Sequence, residues 1–446
     1  MFQSFETTAE PQFGAERVAR LRERMAALGI DGFLVPRADE YQGEYVPASA
    51  ERLAWLTGFT GSAGVVLVMA DQAIVFVDGR YTTQLKEQVD GNVFVGGDLV
   101  GEPPHKWLAR HAGPRFRLGL DPWLHTKSEV AKLQQALAQK NGSVTFLLSN
   151  PLDEIWSDRP PEPMGLVAIQ HVEQAGVLAT DKLRCIAEAL PAAGATAVVL
   201  TDPSSVAWAF NIRGADVPHT PHPLARAIVH AGGRVELFLD EKKTGIESRA
   251  YLGQICEQLP PAAFIDRLRD AASDGGAVML DPDLAPYVLM GVVEEAGGKV
   301  VEAEDPVRIP RATKNPAELD GTVKAHLQDG AAMVEYLHWL DRQEPASVTE
   351  IDAVKALEAA RIRVGERMQN PLKDISFDTI SGAGENAAII HYRVTSETNR
   401  TFRPGEMFLV DSGGQYVNGT TDITRTVATG FVPDEQKRFF TLVLKG

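Results

Sequence analysis

Two aspartates near the C-terminal end of the chain, Asp411 and Asp422, are the residues of this sequence best suited to chemistry. Asp411 closes the apolar strand 407–410, and Asp422 follows Asn418-Gly419, a pair that predicts a type I′ turn. A two-residue turn there places Asp422 opposite Gln415, so both aspartates point to one face of a hairpin. Carboxylates in such a place are costly to bury unless a cation compensates their charge. Their oxygens suit Mn²⁺, Mg²⁺ or Ca²⁺ and, with an added imidazole, Zn²⁺, Co²⁺ or Fe²⁺.

The predicted spacing of the two aspartates leaves two interpretations open. With simple pairing, Asp411 and Asp422 lie about 13 Å apart at ~3.3 Å per residue. A shared metal site would need a bulge or a wider loop, for which Gly413-Gly414 and Gly419 give the freedom. In the alternative, both aspartates lie on an exposed hairpin and accept hydrogen bonds from turn amides.

Two further residues could contact a substrate. His391 ends the apolar run 387–390, and residues 389–394 predict a strand. The simplest interpretation of His391 is a half-buried core residue, but beside the aspartates it could bond a substrate carbonyl or stabilise charge during hydrolysis. Arg80 lies in Asp78-Gly79-Arg80-Tyr81, which closes a strand and is otherwise typical of a turn with a surface arginine.

A glycine-rich segment, 382–387, matches the G-x-G-x-x-G/A nucleotide fingerprint. That fingerprint works only where a helix begins at the loop, because the helix N-terminus holds the pyrophosphate. Since a strand is predicted after this segment, the sequence argues against dinucleotide binding.

Composition excludes several further classes of function. The 446 residues carry 60 acidic and 44 basic side chains, a formal net charge of −16, so we expect no nucleic acid and no membrane among the main partners. The two cysteines, Cys185 and Cys256, are too few for a disulfide scaffold or a thiolate zinc site. No signal-peptide pattern opens the chain, and the longest apolar run, 63–70, is too short to span a bilayer. A cytoplasmic protein is therefore expected.

An internal repeat organises the first two thirds of the chain. Residues 16–28 predict a helix with a buried stripe that Gly29 ends before a strand at 33–35. Residues 181–200 repeat this plan, with a stop at Gly194 and a strand at 197–200. The stripes are Val18, Leu21, Met25 and Leu28 in the first copy and Leu183, Ile186 and Leu190 in the second. Two copies of one α/β module are predicted.

Breaks in composition divide the chain into three predicted domains, 1–160, 161–312 and 313–446. Prolines in the stretch 149–164 predict a linker between the two modules, and a second break falls near Pro306.

The third predicted domain begins with helices and continues as sheet. Asn315-Pro316-Ala317-Glu318 predicts the start of a helix that runs to about Asp341, and Thr349 precedes another. From Ile375 the sequence is rich in β-forming residues punctuated by glycine, and 433–445 predicts a final helix.

The segments 377–382, 388–392, 410–413 and 420–426 together resemble the pita-bread metallopeptidases. Within them the chain is similar to the long, cytosolic, three-domain form of aminopeptidase P (Xaa-Pro aminopeptidase), and the resemblance extends to 55–64 and 78–81. It implies an α/β chain with two creatinase-like N-terminal modules, followed by an incomplete pita-bread domain of α+β type. It also implies a metallopeptidase that releases the N-terminal residue from peptides with proline in the second position.

The resemblance assigns a role to each candidate residue. The family holds two divalent ions, commonly Mn²⁺, with two aspartates, one histidine and two glutamates; Asp411 and Asp422 match the aspartates, and Asp422 bridges both ions. His391 matches a histidine near the scissile peptide, and Arg80 matches an arginine of the N-terminal domain implicated in reaching the substrate. The family is often dimeric, so a homodimer is expected.

The remaining histidine and glutamate ligands of the family lie C-terminal to the point that matches 442–446. We therefore expect the chain to belong to a longer enzyme and residues 1–446 to be inactive alone. One alternative is a prolidase acting on dipeptides or a creatinase, against which the doubled module argues. The other is a catalytically inactive, peptide-binding member of the same fold.

Overall fold

The computed structural model describes residues 1–446, which form two compact units. One unit comprises residues 9–314, and the other comprises residues 315–446 together with residues 1–8. Gln3 joins the latter unit because its side-chain oxygen accepts a hydrogen bond from the Thr379 amide at 2.8 Å. The first eight residues therefore belong to the smaller unit, and not to the module in which the sequence placed them.

The first module of the larger unit is a six-stranded sheet with an apolar core on each face. The central strand pairs antiparallel with its sequence neighbour and parallel with the fifth strand, in the order β4-β3-β2-β1-β5-β6. The strands are β1 (Gly32–Pro36), β2 (Val65–Met69), β3 (Ala73–Val77), β4 (Phe94–Asp98), β5 (Arg117–Leu120) and β6 (Ser143–Phe146). The helices are α1 (Gly14–Leu28), α2 (Arg52–Thr57), α3 (Thr82–Gln88), α4 (Pro104–His111), α5 (Lys127–Ala138) and α6 (Pro151–Ile155).

The second module repeats this architecture. Its main sheet has the order β12-β11-β10-β8-β13-β14, and β7 and β9 form a separate pair. The strands are β7 (Ala168–Ile169), β8 (Ala197–Leu200), β9 (Ile212–Arg213), β10 (Arg226–His230), β11 (Val235–Phe238), β12 (Glu257–Leu259), β13 (Ala277–Leu280) and β14 (Lys299–Glu302). The helices are α7 (Val172–Ala175), α8 (Ala179–Ala189), α9 (Pro203–Ala209), α10 (Ile246–Leu252), α11 (Phe264–Ala272), α12 (Val288–Glu295) and α13 (Arg308–Ala312).

The internal repeat is confirmed by the matching strand order of the two sheets. Gly29 and Gly194 both adopt left-handed backbone conformations, with φ of 66° and 73°, at the ends of the equivalent helical segments. Such a conformation strains any residue that carries a Cβ, which explains why glycine ends both. One residue of the predicted stripe departs from the plan, because Leu28 is exposed rather than buried.

The linker predicted at 149–164 is only partly right. Its first half forms α6, whose N-cap Asn150 accepts a hydrogen bond from the Leu152 amide at 2.9 Å. Leu152 is fully buried in the core of the first module. The proline-rich composition therefore misled the prediction up to Ile155, because Pro151 occupies the first turn of a helix, where a proline is well tolerated.

The smaller unit packs helices against a short sheet. Strands β16, β17 and β20 form one three-stranded sheet in that order, and strands β15, β18 and β19 form another. Helices α14 and α15 share an apolar core with Phe408 and Val410 of the first sheet. The helices are α14 (Pro316–Leu340), α15 (Glu350–Arg367) and α16 (Asp434–Lys445), and the strands are β15 (Asp374–Ile375), β16 (Ile380–Ala383), β17 (Met407–Ser412), β18 (Gly414–Tyr416), β19 (Gly419–Thr420) and β20 (Ile423–Ala428).

Cys185 and Cys256 form no disulfide. Across residues 1–446, every helix is too short or too polar to cross a bilayer.

A buried carboxyl group in the first module makes its stability depend on pH. Burial, followed by the charge of Glu40, raises the pKa of Asp39 from 3.8 to about 6. Because the folded pKa exceeds the ordinary value, the stabilisation from the protonated group is fully present below about pH 3.8 and is lost as the pH rises through about 6. The amides of Tyr41 and Gly43 both donate to Asp39 Oδ1. The side-chain oxygen of an asparagine at this position could accept the same two hydrogen bonds.

We therefore expect Asp39→Asn to stabilise the protein at neutral pH, by at most about 3 kcal/mol, and to have little effect at acidic pH. Urea unfolding of the variant and the parent between about pH 4 and about pH 7 measures the difference. Asp71→Asn, at an exposed position, is the control. A stability difference that does not change with pH would contradict the assignment.

Candidate metal centre

The hairpin that carries the two aspartates has a different register from the one the sequence predicts. Asp411 pairs with Thr424 across β17 and β20, and Tyr416 pairs with Gly419 across β18 and β19. The turn residues are therefore Val417 and Asn418, neither of which has a positive φ. The type I′ prediction at Asn418-Gly419 is wrong, because that turn requires positive φ at both central residues.

This register brings the aspartates together. Continued by one position beyond Ser412 and Ile423, it sets Gly413 opposite Asp422, which makes Asp411 a diagonal neighbour of Asp422 on the same face. The two carboxyl groups are close enough for their charges to interact. The predicted separation of about 13 Å is thus wrong, since the predicted pairing was displaced by two residues.

A glycine makes this close approach possible. Gly413 lies between β17 and β18, and a Cβ built on it would lie 1.9 Å from the Thr421 carbonyl oxygen and 2.1 Å from Ser376 Oγ. No side chain fits there. Gly413 therefore lets the Asp411 strand lie against the segment that leads to Asp422.

The electrostatics of the pair favour a positive charge between the carboxylates. Burial, then the charge and hydrogen bond of Asp411, raise the pKa of Asp422, while the His326 imidazole lowers it. Thr424 Oγ1 donates to Asp411 Oδ1 at 2.7 Å and orients that carboxylate. Two carboxylates this close repel one another unless a proton or a cation lies between them.

The oxygen donors of Asp411 and Asp422 fit part of a divalent-metal site. Carboxylate oxygens are the ligands that Mn²⁺ and Mg²⁺ prefer. Among residues 1–446, however, no group of three or more His, Cys, Asp or Glu side chains is placed to hold a metal ion. The pair therefore supplies a share of such a site and not the whole of it.

A fully buried ion pair lies beneath the strand that carries Asp411. Arg361 Nε on α15 donates to Asp329 Oδ1 on α14 at 2.8 Å, and both side chains are at most 2% exposed. Arg361 Nη2 also donates to Ser412 Oγ at 3.0 Å, and the Tyr416 hydroxyl donates to Asp329 Oδ1 at 2.7 Å. This network connects α14 and α15 to β17 and β18, the strands on either side of Gly413. Nothing in the sequence indicated it, because Asp329 and Arg361 are 32 residues apart on different helices.

His391 lies on a loop, and the strand predicted at 389–394 is wrong. The Tyr392 amide donates to the Ile389 carbonyl at 3.1 Å, so the backbone turns at His391. The glycine-rich segment before it continues into a 3₁₀-helix, Gly384–Ala388. Although the strand argument against nucleotide binding fails, the α-helix that the fingerprint needs is also absent there.

A buried glutamate fixes the loop next to His391. Glu350, at the N-terminus of α15, accepts hydrogen bonds from the Tyr392 hydroxyl at 2.9 Å and from the Ala383 amide at 2.8 Å. The Asn386 side chain donates to both of its oxygens, at 3.0 and 3.1 Å. Burial raises the pKa of Glu350, although these hydrogen bonds oppose the shift. His391 itself is half-buried, as the simplest interpretation of the sequence predicts.

Arg80 lies in the larger unit, in the turn between β3 and α3. Its Nη2 lies 2.6 Å from Asp78 Oδ2 and its Nε lies 3.0 Å from Asp78 Oδ1, a two-pronged ion pair that fixes the guanidinium. The side chain is 37% exposed and borders a cleft of the first module. The structure therefore holds Arg80 in one orientation at the protein surface.

Comparison with known families agrees with the two-module plan. Residues 17–150 and 158–318 each match the creatinase/prolidase N-terminal domain, and residues 320–446 match metallopeptidase family M24. The fold is that of the creatinase-like, pita-bread metallopeptidases.

Whole-chain relatives narrow this class. "Aminopeptidase P2" of Arabidopsis thaliana is 32% identical over 97% of the chain, and a "probable Xaa-Pro aminopeptidase P" of Coccidioides posadasii is 35% identical over 99%. The crystal structure of an X-prolyl aminopeptidase from Caenorhabditis elegans, described as a cytosolic enzyme with a di-nuclear active site, superimposes with a TM-score of 0.87. It is 30% identical, and the match covers 95% of this chain and 71% of that one. The chain belongs to the aminopeptidase P family of M24 metallopeptidases.

The relatives are longer than the chain. It spans 65% of the Arabidopsis protein and 69% of the Coccidioides protein.

Proposed function

We propose that the protein is a metal-dependent aminopeptidase that releases the N-terminal residue from peptides with proline in the second position. The observation that carries this proposal is the close pair of Asp411 and Asp422 on one face of a hairpin in an M24 unit. Named relatives with this activity support the substrate class. The di-nuclear site described for the Caenorhabditis enzyme supports two divalent ions, for which Mn²⁺ is our proposed identity.

In this proposal Asp411 and Asp422 would hold the metal ions. When bound, the ions supply an activated water and polarise the peptide carbonyl. The chain contributes the orientation of both carboxylates, through Thr424, through the glycine at 413 and through the buried ion pair beneath Ser412. Because no third ligand accompanies the two aspartates, we expect residues 1–446 alone to lack activity.

Peptide hydrolysis with metal reconstitution tests the proposal. The intact protein is stripped of metal, reloaded with Mn²⁺, Zn²⁺ or Mg²⁺, and assayed with an Xaa-Pro-Xaa tripeptide. Cleavage that depends on the metal and stops at the first residue supports the proposal. Cleavage of Xaa-Pro dipeptides alone would favour a prolidase, and binding of the tripeptide without cleavage would favour an inactive peptide-binding protein.

We propose that His391 donates a hydrogen bond to the substrate carbonyl. The loop fixed by Glu350 and Tyr392 holds His391 half-buried. A donor held in place in this way loses little conformational freedom when the substrate binds. His391→Ala in the intact protein should therefore lower kcat by about 10²-fold or more. Bound metal, measured by elemental analysis, should be unchanged.

His338→Ala is the matched control for this prediction, because His338 is an exposed histidine on α14. If turnover survives in His391→Ala as it does in the control, His391 has only a structural role.

Arg80, a cytoplasmic location and a homodimer complete the proposal. Arg80 is proposed to contact the substrate, which predicts that Arg80→Ala raises KM. The cytosolic description of the Caenorhabditis enzyme supports the location. Light scattering of the purified protein tests the homodimer.

A further inference from the structure

A polar cleft lies in the first module of the larger unit. It has a volume of about 590 Å³ and is lined by the end of β1, the loops that follow β1 and precede β2, and the first turns of α4 and α5. Arg37, His125, His105 and Lys132 are among its lining residues. We call it the Arg37–His125 cleft.

Two deeply buried nitrogen atoms of this cleft have no hydrogen-bond partner. They are Nη1 of Arg37 and Nε2 of His125, on residues that are only 8% and 2% exposed. The other nitrogens of Arg37 are engaged, since Nη2 donates to Glu51 at 3.2 Å and Nε donates to the Gly61 carbonyl at 3.3 Å. An unpaired buried donor of a charged group is costly, so each such atom in a cleft indicates a place for a ligand.

The second buried residue is held in one orientation. His125 Nδ1 lies 3.6 Å from Glu129 Oε2, an ion-pair distance when the ring is charged. Nε2 can therefore donate to an oxygen when the ring is charged, or accept a hydrogen from the P–OH group of hydrogen phosphate when the ring is neutral.

The surroundings of the cleft favour negative charge. Lys132 lines it, and α4 begins there at Pro104 without a side-chain N-cap, with its positive dipole end near the cleft. Burial, then the positive charges of Lys132 and Lys106, lower the pKa of His105.

The acidic side chains of the cleft already have partners. Glu129 accepts a hydrogen bond from the Thr126 amide at 3.1 Å as part of the N-terminal capping box of α5. Glu44 accepts from Ser62 Oγ at 3.0 Å. Neither carboxylate is therefore the natural partner of Arg37 Nη1 or His125 Nε2.

We propose that the Arg37–His125 cleft binds the oxyanion group of a small molecule, a phosphate or a carboxylate, through Arg37 Nη1 and His125 Nε2. Lys132 adds long-range attraction at the mouth of the cleft. The cleft is also lined by Arg80, which the proposed function assigns to the substrate, but the oxyanion site uses none of Arg80, Asp411, Asp422 and His391. The cleft volume accommodates a small molecule rather than a single ion.

Titration calorimetry on the full chain tests this site. Inorganic phosphate and N-acetylglycine are titrated separately at constant ionic strength, with sodium chloride as the reference anion. Saturable binding of either probe, and not of chloride, supports the site, and the probe that binds more tightly identifies the oxyanion. Heats equal to those of chloride for both probes would overturn the proposal.

Substitutions locate the binding. Arg37→Met and His125→Leu should each weaken binding of the preferred probe by at least about tenfold, because each removes a hydrogen bond to a charged ligand. Lys132→Ala, at an exposed position that the fold tolerates, should weaken it less and should make it less sensitive to salt. Lys86→Ala, an exposed lysine of the same module outside the cleft, should bind as the parent does.

The exposed lysine variant keeps the test decisive if Arg37→Met or His125→Leu does not fold. Binding that is unchanged in Lys132→Ala and in every folded variant of Arg37 or His125 would place the anion elsewhere and would overturn the proposal.

Discussion

Replacing Arg361 with methionine is expected to lower the free energy of unfolding by about 3–5 kcal/mol. The substitution keeps much of the side-chain volume but removes the charge that faces Asp329, a carboxylate only 2% exposed. Asp329 would keep its hydrogen bond from Tyr416, yet it would lose both guanidinium contacts, at 2.8 and 3.1 Å. Ser412, next to Asp411, would lose the Arg361 donor as well.

A neighbouring arginine on the same helix provides the control. Arg363 pairs with Glu335 at 2.7 Å, but the arginine is 55% exposed. Since exposed ion pairs contribute about 0–1 kcal/mol, Arg363→Met should change stability by no more than that. Chemical unfolding followed by circular dichroism compares the two variants. A similar loss in the free energy of unfolding for both variants would show that burial does not strengthen the Arg361–Asp329 ion pair.

The helices of the smaller unit could be predicted because their signals are local. Asn315 accepts from the Glu318 amide while the Glu318 side chain accepts from the Asn315 amide, and α14 begins one residue after this cap. Thr349 and Asp352 form the same arrangement at α15. A capping box involves only four consecutive residues, so the sequence contains the whole interaction.

The hairpin register could not be predicted because tertiary contacts overrode the local turn signal. Asn418 Oδ1 accepts a hydrogen bond from the Asn370 side chain at 2.8 Å. The Asn418 carbonyl oxygen lies so close to Gly321 of α14 that a Cβ there would approach it to 2.5 Å. Both contacts hold Asn418 in a conformation that a type I′ turn does not allow. The sequence thus identified the residue types of the site but not their separation.

The loop of His391 shows how burial can imitate a strand. Tyr392 and Val394 are both buried, which gives the alternation that predicts a strand. Both instead pack in a small apolar cluster with residues of α15, and Glu350, 42 residues before Tyr392, accepts a hydrogen bond from the Tyr392 hydroxyl. Alternation indicates which side chains face inward, but it does not supply the neighbouring strand that a ladder of hydrogen bonds needs.

Asp422→Asn in the intact protein is expected to abolish peptidase activity, by at least about 10³-fold, through loss of bound metal. An asparagine amide is neutral and offers one oxygen, so it would be a weaker ligand than a carboxylate for divalent cations. Elemental analysis measures the metal, and hydrolysis of an Xaa-Pro-Xaa peptide measures the activity. Asp434→Asn, at an exposed aspartate in the first turn of α16, is the control.

Stability separates a lost ligand from a damaged fold in this experiment. Burial, then the nearby charge of Asp411, raise the pKa of Asp422, so removing its charge in the metal-free protein should leave the fold as stable or slightly more stable. A variant that is inactive and metal-poor but as stable as the parent would therefore identify Asp422 as a residue that the protein keeps for metal binding at the expense of stability. Full metal content with normal turnover would show that Asp422 is not a metal ligand. The proposed hydrolase would then lose its principal support.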